Sequence, residues 1–387
     1  MKRILLSITT VFTIGIINAQ TITDTVSLGA GYTDQVWYSL QNGAVTSAPK
    51  NNWDVAFDVS GFGISILINS MNGIQLWEYG GDTSDWSTLD TTGLSTWTER
   101  HNSDTSWAYG AFSQFQSGAD VGWGEYNQLT HVIEGNRLFV IKLSNNQYQK
   151  IWIQDLTSGI YTFRHATLNN SMDMTHSLDK TDYNARNFGY FSLQHHNSLD
   201  REPSNDSWEL LFTQYNAFTP EPYNVAGVLS NNYTKVARAY PVDDASVYED
   251  YFLHTFGTSM NGIGYDWKSF AGSWNIQDSL VYFIETQFGE IWKMVFTDFG
   301  GTANGNFVFT KKQVGTVGIQ NGSHSNDGVF SIYPNPAGNY INLVFQTVAQ
   351  RSELRIYSTD GKAVYSEYIH AAQGMHQRPL DVSHLDN

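Results

Sequence analysis

The chain has no cysteine. That excludes disulfides, thiolate metal sites, a cysteine nucleophile and a lipid-modified N-terminal cysteine. Charge is also scarce: 15% of the residues are charged, where about 25% is usual for a globular domain. Positive charge is the scarcer sign, 21 Lys and Arg against 37 Asp and Glu, for a net charge of -16. Such a chain offers no basic face to nucleic acid or to an anionic membrane surface, and its acidity serves solubility. It contains no Gly-x-Ser-x-Gly, no His-Glu-x-x-His and no phosphate loop, so the familiar signatures of catalysis are missing. A pair of glycosidase carboxylates leaves no mark in a sequence, and a hydrolase therefore stays open as a lesser alternative to a non-catalytic protein.

Long apolar runs are absent beyond the N-terminus, so no transmembrane segment is expected. Residues 1–19 have the form of a secretory signal peptide. Lys2 and Arg3 lead, 4–17 form the apolar centre, and Ala19 is small enough for the peptidase. That centre is too short and too rich in Ser and Thr to span a bilayer.

Aromatic residues are plentiful, 14% of the chain, and wide or β-branched side chains favour pleated sheet. From Thr21 onward the pattern is all-β. The pairs Asn42-Gly43, Asn72-Gly73, Asn261-Gly262, Asn321-Gly322 and Asp360-Gly361 are expected to close hairpins, because Asn, Asp and Gly accept left-handed backbone. Residues 62–68 and 138–141 are apolar on both faces and are expected to be central strands. In 148–154, Ile151 and Ile153 alternate with Tyr148, Lys150 and Trp152, which predicts one wet sheet face. Residues 82–104 and 168–186 read as polar loops. One helix is expected at 245–256, capped by Asp243 or Asp244.

The chain also repeats itself. The strand-turn-strand of residues 278–299 has an earlier copy at 136–156, with Leu138-Phe139-Val140-Ile141 over Val281-Tyr282-Phe283-Ile284. Val121-Gly122-Trp123 echoes Ile263-Gly264-Tyr265. Trp53-Asp54-Val55-Ala56-Phe57 echoes Trp208-Glu209-Leu210-Leu211-Phe212, each followed by an apolar run ending on Asn69 or Asn231. Recurrence in one order predicts an internally duplicated antiparallel β region, with related halves at about 33–167 and 205–312. Residues 313–328 read as a linker.

Two stretches resemble known families. Val329 to Val344, VFSIYPNPAGNYINLV, with ELRIYSTDGKAVY at 353–365 and a third block at 380–385, is similar to the type A C-terminal sorting domain of type IX secretion. The resemblance implies a Bacteroidota-type bacterium, a small β-sandwich at 329–387, the type IX machinery as partner, and a protein secreted or held at the outer cell surface once signal peptide and sorting domain are removed. The family pattern continues beyond Leu385, so the domain is expected to be truncated. Residues 31–312, through Trp53–Phe57 with Asn69, Trp208–Tyr215 with Pro222–Asn231, 263–270 and 282–296, resemble the HmuY-like family. That resemblance implies an all-β, non-catalytic binding protein, with haem or a similar small apolar ligand held by two axial side chains. The family's lipoprotein Cys is missing, and the sorting domain would take its place.

Axial haem ligation needs neutral imidazoles, or His with Met. Seven histidines qualify: His101, His131, His165, His176, His195, His196 and His254. Four are favoured as cofactor-binding residues. His254 stands between two family blocks, His195 and His196 sit in a polar loop from which a ligand could reach inward, and His165 shares a strand face with Tyr161 and Phe163. No His pair has the i, i+4 spacing of a helical metal site, so no metal site is expected. Asp82, Asp85, Asp90, Asp173, Asp179 and Asp182 could line a calcium loop, although no twelve-residue signature frames them. Trp77, Trp86, Trp97, Trp107 and Trp123 suggest the alternative function, a surface adhesion or glycan-binding module.

Overall fold

The computed structural model describes residues 20–316, 328–333, 339–347, 351–357, 363–370 and 374–383. The signal peptide expected at 1–19 and the turns at Asn321-Gly322 and Asp360-Gly361 lie outside them. The chain divides into two compact units, Met1–Gly318 and Ile319–Asn387.

In chain order the first unit contains β1 (Ile22–Ser27), β2 (Asp34–Ser39), β3 (Gly43–Pro49), β4 (Val55–Asp58), β5 (Ile66–Ile68), β6 (Gln75–Glu78), β7 (Thr98–Arg100), β8 (Gly124–Asn127), β9 (Val132–Gly135), β10 (Phe139–Lys142), β11 (Tyr148–Thr157) and β12 (Ile160–Thr167). It continues with β13 (Asp173–Asp179), β14 (Phe188–Ser192), β15 (Asn197–Leu199), β16 (Leu210–Phe218), β17 (Pro222–Ser230), β18 (Lys235–Ala239), β19 (Lys268–Phe270), β20 (Trp274–Ile276), β21 (Val281–Glu285), β22 (Glu290–Phe299) and β23 (Asn306–Thr316). The all-β class expected from composition is what the chain adopts.

These strands form two lobes. In the first, the sheet β13-β12-β11-β10-β6-β7, extended by β8 and β9 through β11, faces the sheet β15-β14-β4-β5. Phe57, Ile66, Phe139, Ile151, Tyr161 and Phe163 belong to their shared core. In the second lobe β1-β23-β22-β21-β18 faces β3-β2-β16-β17, around Tyr38, Phe212, Tyr282, Met294, Phe296 and Phe309. The order β13-β12-β11-β10-β6 corresponds to β1-β23-β22-β21-β18, and β15-β14-β4-β5 to β3-β2-β16-β17, while β7, β8 and β9 of the first lobe have no counterpart. A bulge between Ile153 and Asp155 on β11 recurs between Phe296 and Asp298 on β22. One buried amide does the same work in each lobe: Asn69 Nδ2 donates to Lys50 O at 2.7 Å and Trp53 O at 2.9 Å, and Asn231 Nδ2 donates to Asn205 O at 2.7 Å and Trp208 O at 2.8 Å.

The lobes interleave in sequence, and this departs from halves at 33–167 and 205–312. Strands β1–β3 pair into the later lobe, and β13–β15 complete the earlier one. The repeated hairpins are local and legible. The pairings between distant segments, β1 with β23, β2 with β16 and β4 with β14, are not.

Other expectations need correction. Residues 245–256 form turns and a single 3-10 turn at Tyr251–Leu253 instead of a helix. Tyr248 and Tyr251 pack on Phe283, and these aromatic anchors fix the segment without a helical face. Residues 168–186 carry β13, with Leu178 buried and His176 half-buried on one face. Phe62 is fully exposed and only 66–68 form a strand there. The face of β11 expected to be wet is covered: Lys150 is buried, with its Nζ donating to Trp86 O, beneath Trp86, Leu89 and Trp97. Asn42-Gly43 joins β2 to β3 as expected. Asn72-Gly73 ends a 3-10 turn, and β5 and β6 on either side of it belong to different sheets. Strand β23 runs to Thr316, so residues 313–316 belong to it and not to a linker.

The second unit contains β24 (Gly328–Tyr333), β25 (Tyr340–Thr347), β26 (Arg351–Tyr357), β27 (Ala363–His370) and β28 (Gly374–Asp381). The sheet β24-β25-β28 and the hairpin β26-β27 share a core of Ile341, Leu343, Phe345, Ile369, Leu380 and Val382.

Candidate metal centre

The first lobe brings three histidines to one point. His165 lies on β12, where alternation turns Tyr161, Phe163 and His165 inward, all fully buried. His176 lies on β13. The register sets Phe163 opposite His176 and Met174 opposite His165, so the two imidazoles are diagonal neighbours on one face. His196 comes from the other sheet, on the turn between β14 and β15. Its φ of 54° lies in the left-handed region, which non-glycine residues seldom occupy and which is worth reading for function. Phe191 on β14 forms the bed, its ring 4.8 Å from that of His176 and 4.9 Å from that of Phe163.

One ligand nitrogen from each of His165, His176 and His196 lies within 4.8 Å of the others. The Nε2 atoms of His165 and His176 are 3.1 Å apart. A tetrahedral ion with bonds of about 2.0–2.1 Å to nitrogen sets its ligands about 3.3 Å apart, so the closest pair is already at ligand spacing. His165 Nδ1 donates to Gln149 Oε1 at 2.8 Å. That bond leaves the Nε2 lone pair for the site, the usual role of a second contact behind a ligating imidazole. Burial, reinforced by the neighbouring imidazoles, pushes the His165 pKa down to about 4, and burial also lowers that of His176. Neutral imidazole is the form that binds metal. Among the described residues the group contains no carboxylate.

Of the favoured histidines, His165 and His196 meet here. His195 and His254 stand apart. His195 is exposed, and its backbone N donates to Ser192 Oγ. His254 is hydrogen-bonded to Tyr248 Oη at 2.7 Å and stacks on Phe283 in the second lobe. His176 is among the seven histidines that qualify from the sequence and outside the four favoured there. Its signal was the alternation of Met174, His176 and Leu178 inside a polar segment. Of the Asp residues weighed for calcium, Asp82, Asp90 and Asp179 hold their own turns through Ser84 N, Thr92 N and Thr181 N, Asp85 accepts from Tyr79 Oη, and Asp173 pairs with Arg164. Trp86 and Trp123 are buried, which removes them from any open aromatic platform.

Residues 331–387 match the secretion system C-terminal sorting domain. The protein is a type IX secretion cargo. It is delivered to the cell surface or the medium, and its sorting domain engages that machinery. No curated protein and no solved structure matches the chain. No helix among the described residues is long and apolar enough to cross a membrane.

Proposed function

We propose that this exported protein is a non-catalytic binding protein that takes one divalent transition-metal ion of the zinc class at His165, His176 and His196. The observation that carries the reading is the convergence of three imidazoles from two sheets on one point, with one of them pre-oriented by Gln149. Nitrogen ligands without thiolate or carboxylate suit zinc, copper or nickel and disfavour calcium and magnesium. The HmuY-like resemblance of 31–312 supports a binding role as well.

The geometry favours a bare ion over haem. Axial ligands approach a haem iron from opposite sides, and two bonds of about 2 Å each need about 4 Å between nitrogens. His165 and His176 are 3.1 Å apart and nearly parallel, with 26° between their planes, so both present their nitrogens from one sheet. Calorimetric titration of the metal-free protein with zinc should give one site per chain. His165→Ala and His176→Ala should each weaken it by at least about 100-fold, with His254→Ala unchanged. A Soret shift on haem addition that His254→Ala abolishes, without zinc uptake, would replace this reading by the haem one.

A further inference from the structure

The place occupied by the imidazoles in the first lobe is filled differently in the second. Across β10 to β13, Phe139, Ile151, His165 and Met174 lie side by side. Across β21, β22, β23 and β1 the same row reads Tyr282, Met294, Lys311 and Ile22. On this alignment Lys311 stands at the position of His165. Asp24, opposite Phe309, stands at the position of His176, opposite Phe163. In the facing sheets Tyr38 pairs with Leu210 as Phe191 pairs with Val55, so Tyr38 takes the place of Phe191.

There the three side chains make a cross-sheet tie. Lys311 Nζ lies 3.6 Å from Asp24 Oδ2, Tyr38 Oη donates to the same oxygen at 2.6 Å, and Lys311 Nζ sits 4.7 Å from the centre of the Tyr38 ring. Two groups come from one sheet and one from the other, the same division as in the histidine cluster. The first lobe has neither an ion pair nor a hydroxyl among the side chains at these positions, and its hairpin is the shorter one. Strand β15 has three residues and pairs with β14 at three positions, whereas β3 has seven residues and pairs with β2 at six.

Resting on the metal reading, we infer that the bound ion is the first lobe's counterpart of the Lys311–Asp24–Tyr38 tie. It fastens the β14–β15 hairpin, through His196, to β12 and β13. Order at that end of the first lobe then depends on metal, while the matching end of the second lobe is permanently held.

The test is hydrogen exchange followed by mass spectrometry on the full chain, with and without zinc(II), beside a calorimetric titration. With free zinc at ten times its Kd, exchange in 188–199 should slow about tenfold, and exchange in 34–49 should not change. Zinc uptake at one site with unchanged exchange in 188–199 overturns the tie and leaves the metal centre standing. No uptake overturns both. Asp24→Asn supplies an independent arm: it should speed exchange in 34–49 whether or not zinc is present, and no change there would show that the two positions are not equivalent. Combining His165→Lys, His176→Asp and Phe191→Tyr should protect 188–199 without zinc and remove the zinc response. A folded variant, judged by circular dichroism, that leaves 188–199 unprotected would count against the inference.

Discussion

At the residue scale the site depends on one side chain that would not touch the ion. Gln149 is buried on β11 and holds His165 by a single hydrogen bond. Without that acceptor the imidazole can turn or take its other tautomer, and a lost support of this kind lowers metal affinity about 10–100-fold. Gln149→Ala should therefore bind zinc that much more weakly in a calorimetric titration, while Gln149→Glu, which keeps the acceptor, should retain binding. Part of this was legible in the sequence. His165 was visible because β12 alternates cleanly, so its face could be assigned from Tyr161 and Phe163. Gln149 was not, because its meaning depends on the register that sets β11 against β12.

At the element scale, two amides each fasten a chain crossing. Asn69 and Asn231 are both buried and each donates to two backbone carbonyls. Asn231 Oδ1 also accepts from Asn187 Nδ2 at 2.9 Å, which joins the lobes. Removing a buried amide strands its partners at about 1–3 kcal/mol. Asn69→Ala and Asn231→Ala should each lower stability in urea denaturation by that order, and Asn231→Ala by more because its side chain has four partners, Asn232 N among them. These elements also show where reading the sequence works. The hairpins β10–β11 and β21–β22 follow from alternation and apolar runs, and the expectation of a repeat rests on their likeness. Strand β13 escapes a sequence reading because its outer face is all polar, and the helix expected at 245–256 rests on the spacing of Val247, Tyr251 and His254, of which Tyr251 and His254 lie on Phe283 without a helix and Val247 is exposed.

At the scale of the whole molecule, an acidic exterior surrounds an interior that also holds acid. Burial pushes the carboxyls of Glu202 and Glu209 up to about 7. Glu202 accepts from Asn187 N at 3.1 Å and from Tyr190 Oη at 2.9 Å. Glu209 accepts from Leu40 N at 2.8 Å. A carboxyl whose pKa is higher folded than unfolded contributes stability that is complete below about 4.5 and lost as pH rises through 7. The loss is at most about 3 kcal/mol for each group. Relative to the unaltered protein, Glu202→Gln should therefore gain stability between pH 5 and pH 8, read from urea midpoints at the two values. A constant difference would show that Glu202 is ionised throughout.

The interleaving of the lobes sets an order of assembly. Strands β4 to β15 lie in one continuous stretch, and the first lobe can close as soon as residue 199 is available. The second lobe cannot close then. Ile22 pairs with Lys311, so β1 must wait for almost the whole length of the unit before it finds its neighbour. Contacts this distant in sequence are slow to form, and strand edges left open meanwhile invite wrong pairing. The earliest strand of the unit is thus the last to be housed, and its exposure lasts at least until β23 has been made.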